Sequence, residues 1–151
     1  MKNFESIDEI LDFAIQAEQG AVNLYSGLAE KTRINDMKEV FMEFAKEEMG
    51  HKARLLKIKE EGIIDLPNEK INDLKISDYT SDVVPSDDMD YAQALVLAMS
   101  QEKAAFKLYS KLAERAPDQQ FKNLFLSLAQ EEAKHKLRFE LEYDEFVLRE
   151  N

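Results

Sequence analysis

The feature of this 151-residue chain that most restricts its fold is that it repeats itself. Displaced by 84 residues, positions 14–55 lie over positions 98–139 without a gap, and 17 of the 42 pairs are identical. Glu18-Gln19-Gly20-Ala21-Val22-Asn23-Leu24-Tyr25 is answered by Glu102-Lys103-Ala104-Ala105-Phe106-Lys107-Leu108-Tyr109. Glu47-Glu48-Met49-Gly50-His51 is answered by Glu131-Glu132-Ala133-Lys134-His135, so both histidines of the chain fall at equivalent places. A repeat of this kind means two copies of one supersecondary unit whose apolar faces close on each other.

Each copy reads as two helices joined by a short turn. Ser6 with Glu9, and Asp90 with Gln93, have capping-box spacing at the start of each copy. The helical pattern breaks near residues 32–36 and 116–119, where Pro117 and Asp118 suit a new helix start, and Gly62 suits a carboxyl end. The spans predicted are helices over 7–32, 36–61, 90–115 and 119–148, with the internal repeat covering 6–61 and 90–145. Short turns make each pair an antiparallel hairpin. Residues 62–89, with Pro67, Pro85 and the apolar Ile63, Ile64, Leu66, Leu74 and Ile76, read as one crossover packed along the bundle, with a short helix near 68–74. The expected fold is all-α, a four-helix bundle of two repeated hairpins joined by that crossover, with residues 1–151 as a single domain.

Alternating steps of four and three trace the apolar seam of each helix. The first seam runs Ile7, Leu11, Ala14, Glu18, Ala21, Tyr25, Leu28, and the third Tyr91, Leu95, Ala98, Glu102, Ala105, Tyr109, Leu112. The second runs Met37, Phe41, Phe44, Glu48, His51, Leu55, Ile58, and the fourth Phe121, Phe125, Leu128, Glu132, His135, Phe139. Each apolar seam is thus interrupted at mid-length by Glu, or by Glu and His three residues apart. An ionised carboxylate buried without a partner costs several kcal/mol, roughly, even after relaxation. No Lys or Arg lies on the seams to compensate.

Bound cations remove the difficulty: four carboxylates carry four negative charges, two neutral imidazoles none, and two divalent ions balance the sum. Residues three apart share a helix face, so Glu48 with His51, and Glu132 with His135, can each address one ion. Antiparallel hairpins bring mid-helix positions to one height, which sets Glu18 and Glu102 between the ions. A Glu from each of two helices plus Glu-x-x-His from each of the other two is the known pattern of dimetal carboxylate bundles. Oxygen and imidazole donors without sulfur suit iron, with manganese or zinc as alternatives. Six side chains for two ions leave positions for water, peroxide or an oxo or hydroxo bridge. Glu47 and Glu131, off the seam, read as surface charge, as do Glu30 and Glu114. Gly20 and Gly50, within helices, read as drift.

These residues make the chain resemble the rubrerythrin branch of the ferritin-like family over nearly its whole length. The resemblance implies a ferritin-like fold, a non-haem di-iron centre, and reduction of hydrogen peroxide to water with electrons from a rubredoxin-type donor. Glu18, Glu48, His51, Glu102, Glu132 and His135 match the family's ligand positions. Tyr25 and Tyr109 match tyrosines beside the ligands and are candidate catalytic side chains. Two departures stand out. The sequence has no cysteine, so it lacks the rubredoxin-type Cys₄ site and the donor is expected to be a separate protein. The family's additional Glu on the third helix is also missing, because Met99, Ser100, Gln101, Ala104 and Ala105 occupy that neighbourhood.

Charge and composition narrow the remaining classes. A net charge of −11 argues against a nucleic-acid partner, which needs clustered Lys and Arg. No apolar run reaches the eighteen or so residues of a membrane span, and the start Met1-Lys2-Asn3-Phe4-Glu5 has no signal core, so a cytoplasmic protein is expected. The expected assembly is a homodimer, with exchange of hairpins conceivable between such similar halves. The leading functional expectation is a peroxidase-like di-iron oxidoreductase. The competing ones are ferrous-iron oxidation with storage or buffering, and a non-enzymatic bundle clipped by a redox-inert metal.

Overall fold

The computed structural model describes residues 2–150 and contains four long helices: α1 Ile7–Lys31, α2 Asn35–Glu61, α3 Tyr91–Arg115 and α4 Gln119–Glu150. Their ends fall where the chain supplies the missing backbone partners. Ser6 accepts from the Glu9 amide (3.1 Å), Asp118 from the Phe121 amide (2.9 Å), and Asp90 with Gln93 forms the full reciprocal box. Gly62 closes α2 in the left-handed region (φ 58°), where its N–H meets the Ile58 carbonyl. Only the start of α2 lacks a side-chain cap, Ile34 holding that place.

Helices α1 and α2 form one hairpin, α3 and α4 the other, and α1 packs beside α3. Contacts across the hairpins fix the directions. Glu18 of α1 meets Tyr109 of α3, and Tyr25 and Leu28 share a cluster with Leu95 and Ala98, so α1 and α3 run antiparallel. His51 meets Glu131 while His135 meets Glu47, so α2 and α4 run antiparallel as well. The order up, down, down, up forces the long connection between α2 and α3. Among the described residues the only strand-like pairing is the bridge between Asn3 and Lys75, and no helix is long and apolar enough to cross a membrane.

The connection is bound to the bundle. Its two 3₁₀ turns, Asn68–Lys70 and Ile76–Tyr79, lie beside the buried Ile71, Leu74 and Tyr79. The amino-terminal segment runs against it: the Phe4 amide donates to the Leu74 carbonyl (2.9 Å) and the Ile76 amide to the Lys2 carbonyl (3.0 Å). Phe4 itself is 1% exposed, edge-on to Phe13 and within 6.3 Å of Tyr79.

The core divides into two apolar clusters. One gathers Leu11, Leu55, Leu112, Phe125 and the connection, and the other Tyr25, Leu28, Phe41, Leu95 and Phe139. The polar mid-helix layer lies between them. Replacing Phe4 by Ala removes the ring that ties the amino terminus and connection to the first cluster. The expected loss is about 3–5 kcal/mol of unfolding free energy, read from the denaturant midpoint.

Candidate metal centre

Every seam Glu and His lies inside the bundle. Glu18, Glu102, Glu132 and His135 are 1% exposed, His51 3%, and Glu48 wholly buried. They form two overlapping groups that could each hold a metal ion: Glu18, Glu48, His51 and Glu132, and Glu48, Glu102, Glu132 and His135. Within each group the ligating atoms lie within 4.8 Å of one another.

The two groups are related by the repeat. His51 Nδ1 is 2.9 Å from Glu132 Oε1, 3.5 Å from Glu18 and 3.7 Å from Glu48. His135 Nδ1 is 2.9 Å from Glu48 Oε1 and 3.7 Å from Glu102. Glu48 and Glu132 therefore belong to both groups, whereas Glu18 and Glu102 belong to one each. This reverses the sequence expectation that Glu18 and Glu102 stand between the ions. The reason is the antiparallel pairing of α2 and α4, which sets each histidine level with the other helix's glutamates instead of its own.

Glu47 and Glu131, expected at the surface, do keep 33% and 38% of their side chains exposed, but each also reaches a buried histidine. His51 Nε2 is hydrogen-bonded to Glu131 Oε2, and His135 Nε2 to Glu47 Oε2 at 2.7 Å. With the outer nitrogen donating to a carboxylate, each imidazole turns its Nδ1 toward the cluster. Such outer carboxylates orient ligating histidines and raise their basicity. The signal was present in the repeat, since Glu-Glu-x-x-His occurs in both copies, but helix-face arithmetic within one helix could not find a partner on another. Glu30 and Glu114 are exposed, as expected.

The tyrosines are not equivalent. Tyr109 donates from its hydroxyl to Glu18 Oε1 at 2.6 Å, leaving Glu18 Oε2 directed elsewhere. Burial, reinforced by the Glu18 charge, pushes the Tyr109 phenol well above its usual range, so it stays a donor. Tyr25 is equally buried, but its hydroxyl has no hydrogen-bond partner; its ring lies 6.4 Å from that of His135.

The inward atoms are short of partners. Glu18 Oε2, both carboxylate oxygens of Glu48, Glu102 Oε2, Glu132 Oε1 and Nδ1 of both histidines are buried without a hydrogen bond. Buried polar atoms are ordinarily satisfied, and seven such atoms converging on one layer are what a cation site requires. Electrostatics says the same. Burial, then the neighbouring Glu48, pushes the Glu18 carboxyl up to about 8. Burial likewise raises Glu48, Glu102 and Glu132. Burial would lower the histidines, but the surrounding carboxylates overcome it and push both up to about 11. Without cations, the layer holds protons.

The fold and this layer together define the class, a helical bundle with a carboxylate and imidazole cluster compatible with metal binding. The rubrerythrin family model matches residues 9–143, and the chain belongs to that family. A solved structure of a hypothetical protein from Pyrococcus furiosus is similar, with 29% identity and a TM-score of 0.73 over 92% of this chain and 89% of that one. No curated protein matches the chain.

Raised pKa values translate into pH dependence with a definite sign. A group held above its unfolded value stabilises the fold below that value and ceases to do so as pH rises through the folded one. For Glu18 the window runs from 4.5 to about 8, and for both histidines from 6.5 to about 11, so all three act in the same direction. The melting temperature of metal-free protein is expected to fall by about 5 °C or more between pH 6 and pH 9. Protein loaded with divalent metal, in which ions replace the protons, is expected to show no such fall. Calorimetry at matched ionic strength checks both.

Proposed function

We propose that this chain holds two divalent metal ions, iron in the native protein, and reduces peroxide with electrons from a separate donor protein. The observation that carries the reading is the set of seven buried ligand atoms, none in a hydrogen bond, that converge between the two halves of the bundle. Glu18 and His51 would hold one ion and Glu102 and His135 the other, with Glu48 and Glu132 within reach of both. The charges then cancel, which is how four carboxylates can persist at 1% exposure or less. Membership of the rubrerythrin family supports iron, and the donor set of oxygen and imidazole without sulfur agrees.

When bound, a dinuclear redox metal centre would pass electrons from the donor to the O–O bond. The chain's own residues set the conditions. Glu131 and Glu47 hold the histidine Nε2–H groups and so keep Nδ1 free to ligate. Tyr109 fixes one oxygen of Glu18 and is a proton donor at the edge of the layer. The partnerless hydroxyl of Tyr25 is a second O–H within the same buried region. The apolar clusters above and below keep bulk water from the layer. These 151 residues contain no cysteine, and the electron donor in this proposal is a rubredoxin-type protein. A homodimer in the cytoplasm completes the proposal.

The test is direct. Reduced, iron-loaded protein mixed with hydrogen peroxide is expected to oxidise rapidly and to turn over many times when a rubredoxin and its reductase are supplied. Oxidation without turnover under any donor would remove the reading. Metal content offers an independent check. Glu132→Ala, which takes an oxygen from both groups, is expected to retain one ion or fewer per chain, whereas Glu18→Ala is expected to retain at least one. Glu131→Gln keeps the shape but not the charge beside His51 and is expected to weaken metal binding by about 10- to 100-fold.

A further inference from the structure

A cavity of about 400 Å³ lies between α1 and α3 on one side of the carboxylate layer. Glu18, Glu48, Glu102 and Glu132 reach it from the centre. Its walls are small: Ala17, Gly20 and Ala21 from α1, Ala104 and Ala105 from α3. Tyr79, Val83, Val84 and Pro85 of the connection also line it. That strap is fastened to α3, for Ser81 Oγ lies 2.7 Å from Ser100 Oγ, which also accepts from the Asp82 amide at 3.1 Å. Gly20 and its counterpart Ala104, which read as drift in the sequence, both line this space, and a Cβ built on Gly20 would meet nothing within 4 Å.

We propose that this cavity binds an uncharged organic hydroperoxide, its apolar body against the alanines and the strap and its O–O–H end toward the carboxylate layer. The proposal rests on the peroxide-reduction reading and names its substrate class. Three observations select the ligand. The volume falls in the range of organic-ligand pockets, roughly 300–1,000 Å³, and is far more than hydrogen peroxide needs. None of the lining residues is basic, so a fatty acid or other anion finds no side-chain counter-charge in the cavity. Gln101 lines the cavity, and its side-chain oxygen is buried without a hydrogen bond, an acceptor that a ligand O–H would satisfy. The reaction balances as follows: the O–O bond breaks, two electrons arrive singly from an external one-electron carrier, two protons are taken up, and an alcohol and water leave.

The binding test uses the full chain loaded with zinc, which fills the centre without redox activity, and cumyl alcohol as the unreactive probe. Methyl NMR of labelled alanines is expected to show saturable shifts at Ala17, Ala21, Ala104 and Ala105. Gly20→Ala and Gly20→Leu are expected to weaken binding progressively, the Leu variant by about tenfold or more, while neither lowers the melting temperature, because Gly is the poorer helix former. With iron and a donor system, Gly20→Leu is expected to reduce kcat/KM for cumene hydroperoxide about tenfold more than for hydrogen peroxide. Absence of saturable alanine shifts, or binding unaltered by Leu at position 20, overturns the proposal. So do shifts that track protein concentration without the probe, since a second copy would then occupy the space. Saturable shifts accompanied by no turnover of either peroxide instead overturn peroxide reduction, and with it the hydroperoxide as ligand.

Discussion

Four glutamates meet at the middle of a closed apolar bundle, and everything else in the structure answers to the electrostatics of that meeting. Each carboxyl is buried, so each loses hydration, and the four stand close enough to raise one another's pKa. In the protein alone, protons are the available compensation: burial and mutual repulsion favour neutral glutamic acids, while the remaining negative charge holds the histidines protonated. Cations compensate better, because they satisfy all the inward lone pairs together. The two apolar clusters are separated by this layer, so packing cannot relax to hide it. The site is not grafted onto a finished core; it is the middle of the core.

The repeat supplies a twofold relation, and the connection breaks it. Ligands obey the symmetry: His51 with Glu132 and Glu131 mirrors His135 with Glu48 and Glu47, with matching 2.9 Å separations. On the α2 and α4 side the histidines and their outer carboxylates close the layer. On the α1 and α3 side the corresponding positions are alanine and glycine, and a strap from the connection covers the space. The tyrosines register the same asymmetry, Tyr109 bound to Glu18 and Tyr25 without a partner. A symmetric layer of carboxylates and imidazoles thereby acquires one approach.

Most of the scaffold was legible in the residues because it follows local rules. Helix ends were set by caps such as Asp90 and Gly62, and the inward faces by a period of 3.6, so the helices begin and end within two residues of expectation. The burial of Glu18 and His135 followed from the same period. What stayed hidden depends on relations between helices. The sharing of Glu48 and Glu132 needs the height of α2 against α4. The attachment of Glu131 to His51 needs a rotation that no single-helix wheel contains. Glu142 was missed for a related reason: it is 1% exposed, held by Tyr91 (2.7 Å) and Arg149 (3.1 Å), one partner on another helix and the other two turns along its own. The use of Gly20 was invisible because an empty space leaves no mark in the pattern.

The missing glutamate of the third helix gains a physical meaning from this arrangement. Resemblance places an additional carboxylate near residues 99–105, where this chain has Gln101, Ala104 and Ala105, all facing the cavity. A fifth carboxylate there would add a further negative charge to a layer of four buried glutamates, and it would occupy part of the space between α1 and α3. Gln101 keeps a hydrogen-bonding oxygen without the charge, and the alanines keep volume. The candidate ligand set is then the six seam side chains alone, three of which, Glu18, His135 and His51, are held by Tyr109, Glu47 and Glu131. Beside that layer the cavity keeps its volume. The same substitution thus simplifies the metal layer and opens the approach to it, and the two effects are one consequence of small, neutral side chains on a single helical turn and its neighbour.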